Sequence, residues 1–114
     1  MSKHETNIRY RHVLDNARKA SAMASRRTRS DLDTDEMLGL ALVRLLELLG
    51  EAANRIPDDE QAQHLEIPWV QIVGLRNRLI HGYDSIDFDI LWQVLRQDLP
   101  PLIQSLEKII ADAE

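Results

Sequence analysis

A chain of 114 residues with net charge −5 and no cysteine has room for one domain, expected to span residues 1–114, with a modest core. The missing cysteine excludes disulfides, thiol catalysis and the usual cysteine zinc sites, and it suits a reducing, cytoplasmic location. No stretch is long and apolar enough to span a membrane, and the opening MSKHETNIRYRH lacks the apolar core of a signal peptide.

Helical patterning begins at once. Over residues 6–27, Tyr10, Leu14, Ala17, Ser21 and Ala24 fall on one stripe, with Val13 and Ala20 beside it. The basic residues fall largely off that stripe. Residues 1–30 carry a net +6 and the remainder −11. The N-terminal basic set, Arg11 and Arg18 among it, could track a nucleic-acid backbone, because phosphate neutralisation is local even on an acidic protein. A solvated helix face explains the same pattern. Residues 25–33 read as a polar loop. The run DLDTDE at 31–36 superficially resembles a calcium loop. Glu36 stands where that loop needs glycine, and Leu42 where it needs glutamate, so the run reads as a helix start.

A second helix is expected from Asp33, as N-cap, to about Arg55. Its apolar residues, from Met37 to Leu49, exceed one stripe, and a helix apolar on several sides is buried on several sides. In so short a chain that points to a partner subunit as well as a core. Residues 57–66 suggest a short surface turn. Pro68 opens a third helix at its first position, expected to run through Leu79 and end at Gly82. Asp87 caps a fourth helix, which Pro100 and Pro101 should break or kink. A last segment covers 101–112. No alternating β pattern and no repeat is visible. The expected fold is all-α: an antiparallel four-helix bundle with a short additional helix, forming a dimer that covers the surplus apolar face.

The segment RNRLIHGY at 76–83 concentrates the chemistry. Arginine holds phosphate with a fixed fork of donors. Histidine exchanges protons near neutrality. Two readings stand side by side: a site, or a helix end with cations complementing its dipole and Gly82 just beyond. On a continuous helix Asn77 and His81 would lie about 40° apart, and Arg76 about 140° from His81 and about 7.5 Å along the axis. One straight helix does not aim both at one phosphate. Arg76 must reach round, or a second protomer must complete the site. His81 could serve as general base on a ribose 2′-OH or as acid on the leaving 5′-oxygen. Arg76 would neutralise charge on the phosphate, and Asn77 would orient His81 or touch the ribose. Arg78 reads either as an RNA contact or as a helix charge with a carboxylate partner. Tyr83 belongs to the loop rim. His4, His12 and His64 lack metal-ligand spacing, and Trp69 and Trp92 read as core. No metal and no cofactor is expected, and no P-loop or dinucleotide fingerprint is present.

Arg76, His81 and Tyr83 in the spacing Arg, four residues, His, one residue, Tyr resemble the motif of HepT-type proteins of the HEPN superfamily. LLELLGEAANRIP at 45–57, IPWVQIVGLRNRLIHGYDSID at 67–87 and LWQVLRQDLPPL at 91–102 extend the likeness over about residues 34–110. The resemblance implies a HEPN-like dimeric bundle and a ribonuclease toxin of the type VII kind, acting on tRNA or mRNA. It implies Arg76 and His81 as the catalytic pair, with Asn77 in support. It also implies a nucleotidyltransferase antitoxin of MntA type as partner, which transfers AMP to Tyr83. Added phosphate there would oppose RNA phosphate by charge and bulk. Two rivals remain: a non-catalytic helical module that binds a nucleotidyltransferase or a nucleotide, and a structural dimer whose RNRLIHG is only a capped helix end.

Overall fold

The structure, a computed structural model, describes residues 1–82 and 85–113. Helix α1 spans Lys3–Ala24, and Ser2 caps it by accepting from the Glu5 amide at 3.1 Å. It starts and stops three residues earlier than its periodicity predicts. Its buried stripe is Tyr10, Val13, Leu14, Ala17, Ala20 and Ala24. The three alanines let neighbouring helices approach closely, and α1 packs on α3 (Glu36–Asn54) and α8 (Leu99–Ala113).

Between α1 and α3 lies the one-turn helix α2, Asp31–Thr34. The N-cap of α3 is Asp35, not Asp33: its carboxylate accepts from the Leu38 amide at 3.1 Å. Asp33 instead pairs with Arg29 at 3.0 Å. Both aspartates suit a helix start, and only the turn of α2 decides which one meets a free amide. One side of α3 buries Leu38, Leu42, Val43, Leu46, Leu49 and Ala53. The surplus apolar residues face outward: Met37 is 81% exposed and Leu40 55%.

The acidic turn α4 (Asp58–Gln61) closes the end of α3. Gln61 donates to the Ala53 and Ile56 carbonyls, which satisfies oxygens that a helix C-terminus leaves open. Tyr10 is buried and donates to Glu60 at 3.2 Å. Burial first, and then Glu60, push its hydroxyl well above the ordinary tyrosine range. His64 is not a free surface residue. It sits between Glu60 and Glu66 and packs edge-on to Tyr10.

The third helical stretch is two short helices, α5 (Trp69–Val73) and α6 (Leu75–Leu79), divided at Gly74. It does not reach Gly82. Residues Ile80–His81 form a short strand, β1, antiparallel to β2 (Ser85–Ile86), with Ile80 opposite Ile86 and His81 opposite Ser85. The Leu79 carbonyl takes its hydrogen bond from the Asp87 amide at 2.7 Å. Two paired residues per strand are too few for alternation to register in the sequence.

Helix α7 (Phe88–Gln93) starts at Asp87, as predicted. It runs through a five-residue π segment, Val94–Asp98, into α8. Pro100 and Pro101 therefore do not break the helix. The Leu99 amide bonds the Val94 carbonyl five residues back. This wider turn resets the hydrogen-bond ladder, and both prolines fall in the first turn of α8, where a missing N–H costs little. Arg96 stacks 4.3 Å over Trp92 and donates to the Ala24 and Arg27 carbonyls. It thereby ties the π segment to the end of α1, where a cation is favoured. Among the described residues the fold is all-α apart from the two-residue ladder, and no helix could cross a membrane.

Gly50 sets the spacing between α3 and α5. A Cβ there would lie 2.7 Å from the Ile72 carbonyl oxygen, which is backbone and cannot swing away. Gly50→Ala is expected to destabilise the fold by about 1–3 kcal/mol through this overpacking. Urea unfolding followed by circular dichroism checks it, with Gly74→Ala, whose nearest contact is 3.1 Å, as the milder comparison.

Candidate functional site

The site residues gather where α6 gives way to the β1–β2 hairpin. Arg76 and Asn77 lie on the exposed side of α6, while Leu75 and Leu79 anchor the helix in the core. Arg76 and Asn77 line a cleft of about 220 Å³ between α3 and α5–α6, together with Glu47, Gly50, Glu51, Asn54 and Val73. The close approach at Gly50 is what brings these walls together. Arg76 Nε lies 3.7 Å from Glu47 Oε2, and Arg44 lies at the same distance from that oxygen. Arg76 is 62% exposed. Such an open pair is weak, of the order of 0–1 kcal/mol, so a phosphate can displace the glutamate.

His81 is not on the helix, and the face it would share with Asn77 does not exist. It occupies β1, is 60% exposed, and turns Nε2 toward Asp87 Oδ2 at 3.5 Å. It is not among the residues lining the Arg76 cleft. The reason is the early end of α6: one residue past Leu79 the backbone is already extended. Gly82 still serves the turn, with φ +69, a conformation that glycine adopts without strain. It is a hairpin glycine, not a helix cap. Tyr83, the expected acceptor of AMP, lies outside the described residues.

Asp87 is the site residue that sequence reasoning missed beyond its cap. Its Oδ1 accepts from the Ile90 amide at 3.0 Å, and its Oδ2 faces His81. The Ile90 amide is the main reason its carboxyl is held below the usual carboxylate range, and His81 adds to the effect. The available signal was a glycine between the two residues, which permits a hairpin return. Glu47 gave no signal: it reaches Arg76 only through packing of α3 on α6.

The remaining candidates are placed elsewhere. Arg78 lies 3.8 Å from Asp98 and lines a groove between α5–α6 and the start of α8, so a carboxylate partner is present. Arg11 and Arg18 line a separate depression between α1 and α8, and Arg18 pairs with Glu107 at 2.9 Å. That depression shares no lining residue with the Arg76 cleft. Arg27 and Arg29 pair with Asp35, Asp33 and Asp89. Among the described residues no group of three or more His, Asp or Glu could hold a metal ion.

The Ribonuclease HepT-like family model matches residues 13–109, which includes α3, α6, the hairpin and α7. The chain belongs to this family. It is 38% identical over 79 residues to a Thermococcus cleftensis protein named "Probable ribonuclease HepT", covering 69% of this chain and 72% of that one. It is 31% identical over 107 residues to a Methanocaldococcus jannaschii protein whose name assigns it an inferred RNase activity, covering 94% and 98%. A Caldanaerobacter subterraneus protein named in the same way is 34% identical over 80 residues, covering 70% and 71%. No solved structure matches significantly. Within this HepT-like chain, the helix-to-hairpin junction is the candidate active site.

The Asp87 carboxyl ionises more readily in the fold than its ordinary value of about 3.9. Its contribution to stability is therefore present above that value and is lost as pH falls through the lower, folded one. The wild type should melt higher than Asp87→Asn at pH 7, and the gap should close toward pH 2. Melting temperatures of the two proteins across that range check it.

Proposed function

We propose that this chain is a metal-independent endoribonuclease, the toxin of a HepT/MntA-type pair, working as a homodimer in the cytoplasm. The observation that carries the reading is the exposed junction of Arg76, Asn77 and His81 within a HepT-like chain. These side chains are not consumed by the core. His81, moreover, stands beyond the end of α6, so a capped helix end does not account for it.

The reaction is transesterification. The ribose 2′-OH attacks the adjacent phosphorus, the bond to the 5′-oxygen breaks, and a 2′,3′-cyclic phosphate and a 5′-hydroxyl result. One proton leaves the 2′-OH and one reaches the 5′-oxygen, and His81 serves one of these transfers. Arg76 leaves Glu47 for the phosphate and offsets charge that grows there in the transition state. Asn77 contacts the ribose or phosphate from the same face of α6.

Two copies complete the site. Met37, Leu40, Arg44, Glu47 and Glu51 follow at three- and four-residue steps along one face of α3. On α5, Val70 is 85% exposed and Val73 36%. The exposed apolar residues of α3 and α5 offer a dimer surface, and Val73 of that surface lines the Arg76 cleft. Across a two-fold axis that surface would bring His81 of one protomer toward Arg76 of its partner.

Arg76→Ala and His81→Ala should each reduce cleavage at least about 100-fold with helix content unchanged, and cleavage should persist in chelator. If protomers share the site, mixing and re-annealing the two inactive variants restores activity. Gel analysis of RNA ends reads cyclic phosphate. Inactivity on every RNA, with an intact dimer by light scattering, favours the non-catalytic nucleotidyltransferase- or nucleotide-binding module instead.

Tyr83 is the proposed control point. A partner nucleotidyltransferase transfers AMP from ATP to the tyrosine oxygen and releases pyrophosphate. The added phosphate competes with RNA at the cationic junction. Intact mass should rise by whole AMP units with partner and ATP, and Tyr83→Phe should stay unmodified and resist neutralisation. Mass gain in Tyr83→Phe would place the control elsewhere.

A further inference from the structure

The hairpin gives Asp87 a double task. Its backbone amide holds the Leu79 carbonyl at 2.7 Å, so the residue is delivered next to His81 by main-chain pairing rather than by a flexible side chain. Its two carboxylate oxygens then face different partners. Oδ1 accepts from the Ile90 amide at 3.0 Å and caps α7. Oδ2 lies 3.5 Å from His81 Nε2. The cap holds Oδ1, and Oδ2 of the same carboxylate is the oxygen turned toward His81. Asp87 is 31% exposed against 60% for His81, so the acid is the more enclosed partner.

An ionised carboxylate only accepts hydrogen bonds, whereas a neutral imidazole donates from one nitrogen and accepts at the other. A carboxylate at Nε2 therefore selects the tautomer with the proton on Nε2 and leaves the Nδ1 lone pair on the other edge of the ring. We propose that Asp87 is a positioning residue for His81: it holds the proton on Nε2, so that Nδ1 is the nitrogen that exchanges a proton with RNA. This rests on the nuclease reading above and goes beyond it by naming the working nitrogen and the residue that selects it. Positive charge that forms on His81 during proton transfer also stays next to an anion.

Two substitutions separate the cap from the pairing. Asparagine and serine both keep a side-chain oxygen that can cap the helix. In Asp87→Asn the amide oxygen keeps the Ile90 bond and the amide NH2 turns to His81, which favours the opposite tautomer. In Asp87→Ser the cap remains and the shorter side chain no longer reaches the ring. The probe is the ¹⁵N shift of the two His81 ring nitrogens in the full-length chain at alkaline pH, with steady-state cleavage of a defined RNA. In the wild type Nε2 should be the protonated nitrogen. In Asp87→Asn the assignment should invert, and kcat should fall about 100-fold or more with KM within about twofold. In Asp87→Ser the two tautomers should mix and kcat should fall less. An unchanged tautomer in Asp87→Asn overturns the proposal. Losses of kcat that merely follow melting temperature in both variants also overturn it. A wild-type chain that cleaves no RNA removes the nuclease reading alone, because the ring shifts still decide whether Asp87 sets the tautomer.

Discussion

The hydrogen bond from the Asp87 amide to the Leu79 carbonyl is the constraint on which the candidate site of this protein depends. It terminates α6, since Leu79 gives its carbonyl to a residue eight positions on instead of to the next helical turn. It closes the hairpin that carries His81. It also sets Asp87 where its side chain starts α7. A helix end, a strand pair and a helix start share this contact, so His81 owes its position to backbone hydrogen bonds.

The other wall of the site depends on close packing. Gly50 lets α3 and α5 approach until a Cβ would overlap the Ile72 carbonyl. That approach carries Glu47 to Arg76 and Val73 to the edge of the cleft.

Charge behaves differently from what its distribution along the chain implies. The N-terminal thirty residues are strongly basic, yet Arg18, Arg27 and Arg29 meet acids from later in the chain. Glu107 returns to α1 and Asp89 to the loop after it through the fold, while Asp33 and Asp35 follow closely in the chain, so local excess charge becomes a set of exposed pairs. Such pairs add little stability, but they reduce the field that the basic residues would present to a nucleic acid.

The sequence by itself determined the all-α class, the buried stripe of α1, the cap at Asp87, and the likeness to the HepT-like family. These follow from periodicity, cap chemistry and side-chain type, all of which act over a few neighbouring positions. It misplaced the end of α6 and therefore the face of His81, assigned the α3 cap to Asp33, and read the two prolines as a break or a kink without the π turn that carries the helix past them. Each of these depended on a distant hydrogen-bond partner or on a change of helical register. Which acid stands beside His81, which meets Arg76, and which cations are paired were decided only by tertiary structure. Those contacts join residues of separate elements, and their distances are set by packing between helices, which no local pattern records.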